Sequence, residues 1–317
     1  MQKVRSRISV NPFIFFVSLF SFFFLIFNFP SAVQSAENTI SVSPQLVQLD
    51  LATDKSEAEY YYTNSTSQTI ELTLTMNDVK ELEDRGVPGL ISPQESKNYK
   101  YGLSSWAKFS NNSIVIAPNE TKKVIVFIDA QRLSIGGHYA SVLAEVKQID
   151  KKGPVKLRAI LSSLLFVRQG NGSETEEAKA TDLKSEGSFL EFPYSFTFRL
   201  NNTGNVDLTP HGRLSIKNSY GQEVAFGIVN EDSLIALPES IRRYTTKVKN
   251  KQAFIMPGLY TTDLTIKYGK KKLETSLRTT FISTGSVPRP LFGVGIIVIV
   301  LLIAGLFKLR RSGNRSK

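Results

Sequence analysis

The stretch "PGLYTTDLTIKYG", Pro257–Gly269, indicates the fold of this chain. From Tyr260 to Tyr268 the even-numbered residues are, in order, Tyr, Thr, Leu, Ile and Tyr. The odd-numbered residues between them are Thr, Asp, Thr and Lys. A period of two places one face on a core and the other in water, which predicts a β-strand. The stretch "GGHYASVLAEV", which begins at Gly136, makes the same Gly-x-Tyr step. We therefore expect one structural unit to occur twice.

The repeated Gly-x-Tyr step fits a known corner. In immunoglobulin-like sandwiches a tyrosine near the start of strand F turns its hydroxyl back to the backbone upstream. A glycine two residues earlier permits the close approach of the ring. Gly137 with Tyr139 and Gly258 with Tyr260 fit these roles. The alternative is that both tyrosines are ordinary strand aromatics.

Alternation of apolar and polar residues recurs along the chain. It runs through residues 70–77, 194–201 and 273–281. Two other runs, "KKVIVFIDA" and "SSLLFV", are almost wholly apolar, which is typical of central strands buried on both faces. Apart from the apolar runs near the two ends of the chain, which are described below, no long segment has apolar residues at helical spacing. Short strands separated by turns predict an all-β chain built of sandwiches.

The two halves of the chain repeat the same order of features. A polar turn, "YTNSTSQTIEL" from Tyr62 or "LNNTGNVDL" from Leu200, follows an aromatic strand. Later, Pro118 or Pro238 opens a strand before the Gly-x-Tyr step. The first copy is longer by a polar, coil-like insertion over residues 81–98, and the second copy closes without it. We predict two tandem immunoglobulin-like sandwiches, residues 39–167 and 189–284, joined by a solvated linker over residues 168–188.

Both ends of the chain carry membrane-targeting patterns. Basic residues, an apolar run and small residues predict a secretory signal over residues 1–36, either cleaved or kept as an uncleaved anchor. The uncharged run "LFGVGIIVIVLLIAGLF", residues 291–307, is near the lower limit of length for a transmembrane helix. The basic tail, residues 308–317, follows at once. Because positive charge stays inside, the tail is predicted to be cytoplasmic and the sandwiches to lie outside the cell.

The net charge of +11 is largely a consequence of these ends. Of the 39 Lys and Arg residues, eight lie before the apolar run or in the tail, which leaves an excess of three over the 28 acidic residues. A nucleic-acid partner is therefore not expected. The chain has no cysteine, which excludes a thiol nucleophile and favours a bacterial surface protein held together by its cores.

Several segments resemble known bacterial surface modules. "ISVSPQLVQLDL", "NNSIVIAPNETKKVIVFIDA" and "GGHYASVL" resemble the first module of bacterial WxL-interacting surface proteins. "RLNNTGNVDLTPHGRLSIKNSYGQEV" resembles surface immunoglobulin-like domains related to pilus-chaperone modules. The WxL resemblance implies two sandwiches and a C-terminal membrane helix, with the first module facing peptidoglycan and the second facing a host or partner protein. No binding motif permits the transfer of a particular site residue.

The residues that carry catalysis are sparse. The two histidines, His138 and His211, are expected at solvated turn positions, and no G-x-S-x-G elbow accompanies either of them. Neither a phosphate loop nor a dinucleotide fingerprint occurs. We predict that the protein is not an enzyme and has no catalytic residue, metal or cofactor.

The insertion is the candidate partner-binding site. It breaks the correspondence between the two copies, and loops on a rigid scaffold commonly carry binding groups. A tolerated insertion without function is the alternative, as is a core position for the lone tryptophan. The candidate residues are Glu81, Glu83, Arg85, Tyr99, Tyr101 and Trp106.

A second candidate is the lysine-rich stretch "GKKKLE", Gly269 to Glu274. A solvated hairpin tip that resists aggregation is one interpretation. Contact with an anionic wall polymer, or with the acidic residues Glu174, Glu176 and Glu177 of the predicted linker, is the other.

Together these features predict a single-pass protein of the bacterial cell membrane that presents immunoglobulin-like modules to a cell-wall polymer or a surface protein. The alternative is a membrane-anchored, chaperone-like assembly factor that pairs its edge strands with surface subunits. An enzyme with an unrecognised site is the third hypothesis.

Overall fold

The computed structural model of the protein describes residues 39–148, 159–170, 172–188, 190–285 and 296–304. The predicted signal, residues 1–36, and the predicted cytoplasmic tail, residues 308–317, lie outside the described residues. Within them, strands form two β-sandwiches, so the prediction of an all-β chain with two sandwiches is confirmed.

The first sandwich begins with a chain segment that joins both of its sheets. Residues Ile40–Ser43 pair antiparallel with one sheet, the Ser43–Pro44 peptide bond is cis, and Leu46–Asp50 pair parallel with the other sheet. The strands are β1 (Ile40–Ser43), β2 (Leu46–Asp50), β3 (Glu57–Asn64), β4 (Ile70–Leu82), β5 (Val87–Leu90), β6 (Ala107–Phe109), β7 (Ser113–Ile116), β8 (Glu120–Ile128), β9 (Gly136–Gln148) and β10 (Ala159–Gln169).

The two sheets have the strand order of an immunoglobulin-type sandwich. One sheet has the order β1-β3-β8-β6, and the other has the order β2-β10-β9-β4-β5 with β7 beside β4. These orders correspond to A-B-E-D and to G-F-C with flanking strands. One short α-helix, α1 (Pro93–Ser96), and 3-10 turns at Glu83–Arg85, Ser104–Trp106 and Ala130–Arg132 connect the strands.

The second sandwich repeats this plan with fewer strands. A sheet of order β11-β12-β15 faces a sheet of order β16-β14-β13-β17-β18. The strands are β11 (Ala178–Glu186), β12 (Ser195–Asn202), β13 (His211–Asn218), β14 (Glu223–Val229), β15 (Ser240–Lys247), β16 (Lys249–Asn250), β17 (Gly258–Tyr268) and β18 (Leu273–Ser283).

The alternation in the sequence becomes the two cores. In β4 the residues Ile70, Leu72 and Leu74 are buried, and in β12 the residues Phe196 and Phe198 are buried. The strand β8 was expected to be buried on both faces, and that prediction is wrong, because its side chains alternate and one face meets solvent. The prediction for β10 is confirmed at its second half, since three consecutive side chains are buried there: Leu165, Phe166 and Val167.

A buried asparagine marks the same turn in both copies. The amide of Asn64 donates to the carbonyls of Gln68, Ile116 and Ala117 at 2.8–3.1 Å. The amide of Asn202 donates in the same pattern to three carbonyls at 2.8–3.1 Å: those of Val206, Ala236 and Leu237. Both side chains are fully buried. The duplication predicted from the sequence is therefore present in the hydrogen bonding as well.

The predicted linker is mostly strand. Residues 168–169 complete β10, and β11 pairs with β12 from Ala178 to Glu186. The connection between the sandwiches is thus residues 170–177. The strand was missed because its buried residues, Ala178 and Ala180, are small and its other side chains, apart from Leu183, are polar.

The predicted transmembrane segment is described in part. Residues 296–304 are helical, and the large apolar side chains from Ile296 to Ile303 are all exposed. No helix within the described ranges is long and apolar enough to cross a membrane. The remaining residues of the predicted span lie outside those ranges, so the span stays a prediction.

Candidate functional site

The insertion after β4 is an ordered part of the fold. Strand β4 continues through Leu82, and β5 pairs back on it from Val79 to Leu82. Ser92 caps α1 by accepting from the N–H of Glu95, while the Glu95 carboxylate accepts from the N–H of Ser92. The expectation of a coil-like insertion is therefore wrong. A strand and a capped helix occupy most of it.

Two acidic residues of the insertion bind the second sandwich. The Glu81 carboxylate accepts from the N–H of Leu237 at 3.3 Å and from the Ser240 hydroxyl at 2.6 Å. Burial raises the pKa of Glu81. Asp84 forms an ion pair with Arg199 at 2.8 Å, and this pair holds the pKa of Asp84 below its usual range. The insertion thus joins the two sandwiches.

The aromatic residues after the insertion also make contacts within the protein. Tyr101 is buried, and its hydroxyl donates to Glu239 of the second sandwich at 2.9 Å. Tyr99 packs edge-on against Tyr101, with ring centroids 5.9 Å apart. Trp106 is half-buried against the core of the first sandwich. Glu83 and Arg85 lie in the 3-10 turn between β4 and β5. The structure therefore gives most of these candidates contacts within the chain, and their role in partner binding stays a prediction.

Asp78 organises the chain that follows the insertion, and the sequence analysis missed it. Its carboxylate accepts from the N–H groups of Leu103 and Ser104 at 2.7 and 2.6 Å and from the hydroxyl of Ser96. The side chain is 2% exposed. The signal was available, because Asp78 occupies the next inward position after Met76 in the alternation of β4. A carboxylate at a core position requires partners of this kind.

The other side of the junction is a polar cluster around Tyr139. Its hydroxyl donates to Asp207 of the second sandwich at 3.1 Å, which differs from the backbone contact expected at a tyrosine corner. Arg168 of β10 donates to the Asp207 carbonyl at 3.1 Å and pairs with Glu176 at 3.3 Å. Burial raises the pKa of Asp207. Because Tyr139 contacts a residue of the other sandwich, the sequence of the first sandwich alone gave no indication of this contact.

Each of the two Gly-x-Tyr corners shows only one of the two features expected of a tyrosine corner. Tyr260 donates to the carbonyl of Met256, four residues upstream, which is the contact of a tyrosine corner. A Cβ on Gly137 would lie 1.7 Å from the Tyr139 hydroxyl oxygen, so the ring requires glycine there. A Cβ on Gly258 would meet nothing within 4 Å. The close approach over glycine therefore occurs at the first corner, and the hydroxyl contact at the second.

The lysine-rich hairpin contacts the acidic connection. The N–H groups of Lys270 and Lys271 donate to the Glu176 carboxylate at 2.9 and 3.2 Å. The ammonium of Lys270 pairs with Asp50 of β2. Of the interpretations left open by the sequence, contact with the acidic residues between the sandwiches is the one observed.

The histidines differ from the expectation at one position. His138 lies in β9 and is buried, with its ring nitrogens 3.1 Å from the Gly102 carbonyl and 2.9 Å from the Ser134 carbonyl. A solvated turn position is wrong for this residue. His211 is exposed, at the first position of β13. Because both ring nitrogens of His138 face backbone carbonyls, this ring is held as a structural element.

Among the described residues, a strand edge without a pairing strand lies on the first half of β10. Within the described residues, β2 pairs with β10 from Leu164 to Arg168, so residues 159–163 extend beyond the end of β2. The N–H of Leu164 donates to the Gln45 carbonyl at 2.8 Å, on the β2 side. Because main-chain groups alternate between the two sides of a strand, the N–H and C=O of Ile160 and Ser162 point to the same, open side. The Ile160 side chain is 65% exposed.

Several other edges among the described residues are short or guarded. In the first sandwich, β1 and β6 are edge strands of four and three residues. In the second, the edge strand β18 is rich in threonine and carries Arg278, and β11 reaches it through a bond from the Ala180 N–H to Thr275 at 3.4 Å. Charged side chains, brevity and covering segments are devices that blunt an edge. Residues 159–163, "AILSS", carry no charge and no proline.

Comparison with known proteins gives distant structural likenesses. No family model matches the chain, and no curated protein matches it. The fold resembles solved fimbrial and pilus chaperones. The class 5 fimbriae chaperone CfaA is 10% identical to this chain, with a TM-score of 0.39. The match covers 79% of this chain and 100% of the CfaA chain. The YadV chaperone is 9% identical with a TM-score of 0.38, over 77% and 98%. The CupB2 chaperone of Pseudomonas aeruginosa is 9% identical with a TM-score of 0.36, over 75% and 98%.

These likenesses are too low to carry an activity from those proteins to this chain. Each of the three is described as a chaperone, and none as an enzyme. Of the two resemblances drawn from the sequence, the one to pilus-chaperone modules recurs among these structures, and the one to WxL-interacting proteins gains no support from them.

Proposed function

We propose that this chain is an exported, membrane-anchored protein of the bacterial surface whose first sandwich binds an extended segment of a partner protein along β10. The observation that carries the proposal is the open edge at residues 159–163. This function corresponds to a chaperone-like assembly factor rather than to a scaffold that binds wall polymer.

The chemistry of the edge favours a polypeptide partner. The exposed N–H and C=O groups of Ile160 and Ser162 form hydrogen bonds with the main chain of an added strand, whatever its sequence. The Ile160 side chain supplies an apolar contact that selects among segments. A polysaccharide lacks the alternating donors and acceptors at strand spacing that such an edge matches.

The rest of the molecule supports the presentation of this edge at a fixed place. The junction contacts of Glu81, Tyr101, Tyr139 and Arg168 hold the second sandwich against the first. The exposed apolar side chains of residues 296–303 and the basic tail favour a C-terminal anchor with the sandwiches outside the cell.

The test is site-specific cross-linking in cells that produce the protein. Because the chain has no cysteine, Ile160→Cys creates a unique attachment point for a benzophenone. We expect one defined adduct with a surface protein, mapped to a continuous extended segment of that partner. Adding Ser162→Pro, which removes an edge-facing N–H while leaving the bonds to β9, should abolish the adduct.

The matched control is Phe127→Cys. Phe127 is an apolar residue of β8 in the same sandwich, 44% exposed, on a strand that pairs with β3 and β6. The same adduct from both positions, or an adduct at position 160 that Ser162→Pro leaves intact, would contradict strand addition at β10.

A further inference from the structure

The exposed apolar side chains of the second sandwich are concentrated in one set of residues. Among its described residues, six large apolar side chains are more than half exposed, and others on the exposed surface, such as Ile228 and Leu273, are 45% and 37% exposed. We call these six residues the tip patch: Tyr194 (68%), Tyr220 (88%), Phe254 (52%), Met256 (64%), Leu259 (52%) and Ile282 (66%).

All six residues lie at the same end of the sandwich. Leu259 and Ile282 are paired neighbours on β17 and β18. The β13–β14 turn that carries Tyr220 lies at this end, because Asn218 pairs with Tyr260. Tyr194 precedes Ser195, which pairs with Glu186 at one end of the β11–β12 pair. Ala178, at the other end of this pair, bonds Tyr268, which lies at the opposite end of β17 from Tyr260. Tyr194 therefore lies at the same end as Tyr260.

The chain leaves the sandwich at this end. The N–H of Thr284 donates to the Leu190 carbonyl at 2.7 Å. A Cβ on Gly285 would lie 1.9 Å from the carbonyl oxygen of Ile255, so Gly285 lies directly against the loop that carries Phe254 and Met256. The Tyr260 hydroxyl holds the same loop through the Met256 carbonyl. The tip patch therefore surrounds the exit of the chain.

The length of chain that follows limits the distance to the bilayer. Gly285 and Leu291, where the predicted membrane span begins, are six residues apart. Six residues reach at most about 20 Å when fully extended. The headgroup region of one leaflet is itself about 6 Å deep. The tip patch is thus held beside the membrane surface whenever the span is inserted.

We propose that the tip patch is a membrane-seating surface, which dips into the boundary between the headgroups and acyl chains of the outer leaflet. The inference rests on the membrane anchor of the proposed function. Exposed apolar side chains bind this boundary through buried apolar area, and tyrosine is suited to it because its ring is apolar and its hydroxyl is polar.

The seating sets the direction of the whole ectodomain. The hairpin at the other end of β17 contacts Asp50 and Glu176, at the junction with the first sandwich. Strand β17 runs from Gly258 to Tyr268, which separates the two ends by about 30 Å. The first sandwich, with its open β10 edge, is therefore attached to the end of the second sandwich that faces away from the membrane.

The test uses the full chain in lipid nanodiscs of phosphatidylcholine and phosphatidylglycerol. Single cysteines carry an environment-sensitive fluorophore, and a nitroxide-labelled lipid is the quencher. Ile282→Cys reports on the tip patch, and Leu273→Cys at the other end of the same strand is the matched control. We expect roughly twofold quenching at position 282, where the side chain lies within the lipid boundary, and none at position 273.

A probe at Ile299→Cys, within the predicted span, separates failure of the anchor from failure of the patch. Quenching at position 299 with none at position 282 overturns the tip patch and leaves the anchor standing. No quenching at position 299 overturns the anchor, and the reading at position 282 then decides the patch alone. A blue shift at position 282 that grows with protein concentration and is insensitive to the quencher assigns the patch to a second copy or a protein partner instead.

A second set of variants checks that apolar area carries the contact. Phe254→Ser combined with Met256→Ser should remove most of the quenching at position 282. Ile228→Ser, which changes an exposed apolar residue at the junction end of β14, should leave it unchanged. Equal effects of both changes would overturn the proposal.

Discussion

Asn64 and Asn202 show how one buried side chain closes a turn in each sandwich. Each amide nitrogen donates to three carbonyls, and each amide oxygen accepts from a backbone N–H two residues on: that of Thr66 or that of Gly204. Buried carbonyls need hydrogen-bond donors. The two asparagines supply such donors at the turns that follow β3 and β12.

Replacing either asparagine by alanine should destabilise its own sandwich strongly. Asn202→Ala removes three buried hydrogen bonds at once, and we expect a loss of about 3 kcal/mol in the free energy of unfolding. Urea denaturation followed by tyrosine fluorescence measures the loss. Asn201→Ala, at the neighbouring half-buried position, is the control and should change stability by less than about 0.5 kcal/mol. Equal effects at the two positions would contradict the role of the buried amide.

Glu223 should make the second sandwich sensitive to acid. Lys251, Ser215 and Arg213 bind its carboxylate and lower its pKa from 4.5 to about 2. A carboxyl group with a lowered pKa stabilises the fold above its unfolded pKa, and the contribution is lost as the pH falls towards the folded pKa. The stability difference between the native chain and Glu223→Gln should therefore be full above about pH 5 and fade between pH 4.5 and 2. A difference that is constant from pH 6 to pH 2.5 would show that the carboxylate is not held in this way.

Among the elements, the insertion has the largest effect on the arrangement of the molecule. Its turn pairs with Arg199 through Asp84, and the strand that leads into it bonds Ser240 through Glu81. Val79, Tyr101 and Leu237 form an apolar cluster that both sandwiches share. The insertion, which the second copy lacks, therefore couples the two sandwiches.

Exchange of residues 81–98 for a short Gly/Ser turn should uncouple the sandwiches, because it removes both Glu81 and Asp84. We expect one calorimetric transition for the native chain and two for the exchanged chain, with a loss of about 2 kcal/mol of coupling. The control replaces three exposed residues of the same insertion by alanine and should retain one transition: Gln94, Lys97 and Asn98. One unchanged transition after the exchange would mean that the other contacts of the junction suffice.

Local patterns predicted the elements better than their contacts. The period of two identified β4, β12 and β17, because each buries one face in its own core. It failed for β11, whose inward alanines lack an apolar signature. It gave no information on the contact of Tyr139 with Asp207, since that partner lies on another sandwich 68 residues away.

The candidate site shows the same division. The apolar run of β10 was recognised as a strand, but its open half is visible only in the register with β2, which ends at Leu164. The candidates chosen on the insertion are polar and aromatic residues that the structure uses largely at the junction. A sequence pattern marks such residues as special without distinguishing a partner in another chain from one in the same chain.

At the scale of the whole molecule, the two sandwiches differ in which of their ends meet the junction and the exit of the chain. The second bears the exit of the chain at one end and the junction at the other. The first adds an open edge on the far side of that junction. Under the proposed function, this order would hold the strand-binding edge away from the membrane.

Hydrogen exchange at single amides of β10 tests the central claim most directly. In the isolated full-length protein, the amides of Ile160 and Ser162 should exchange fast because they face the open edge. Those of Leu161 and Ser163, which face β9, should exchange slowly. With the cross-linked partner segment in place, Ile160 and Ser162 should become protected as well. If both amides are already as slow as their neighbours in the isolated protein, the edge is closed and the account of strand binding is wrong.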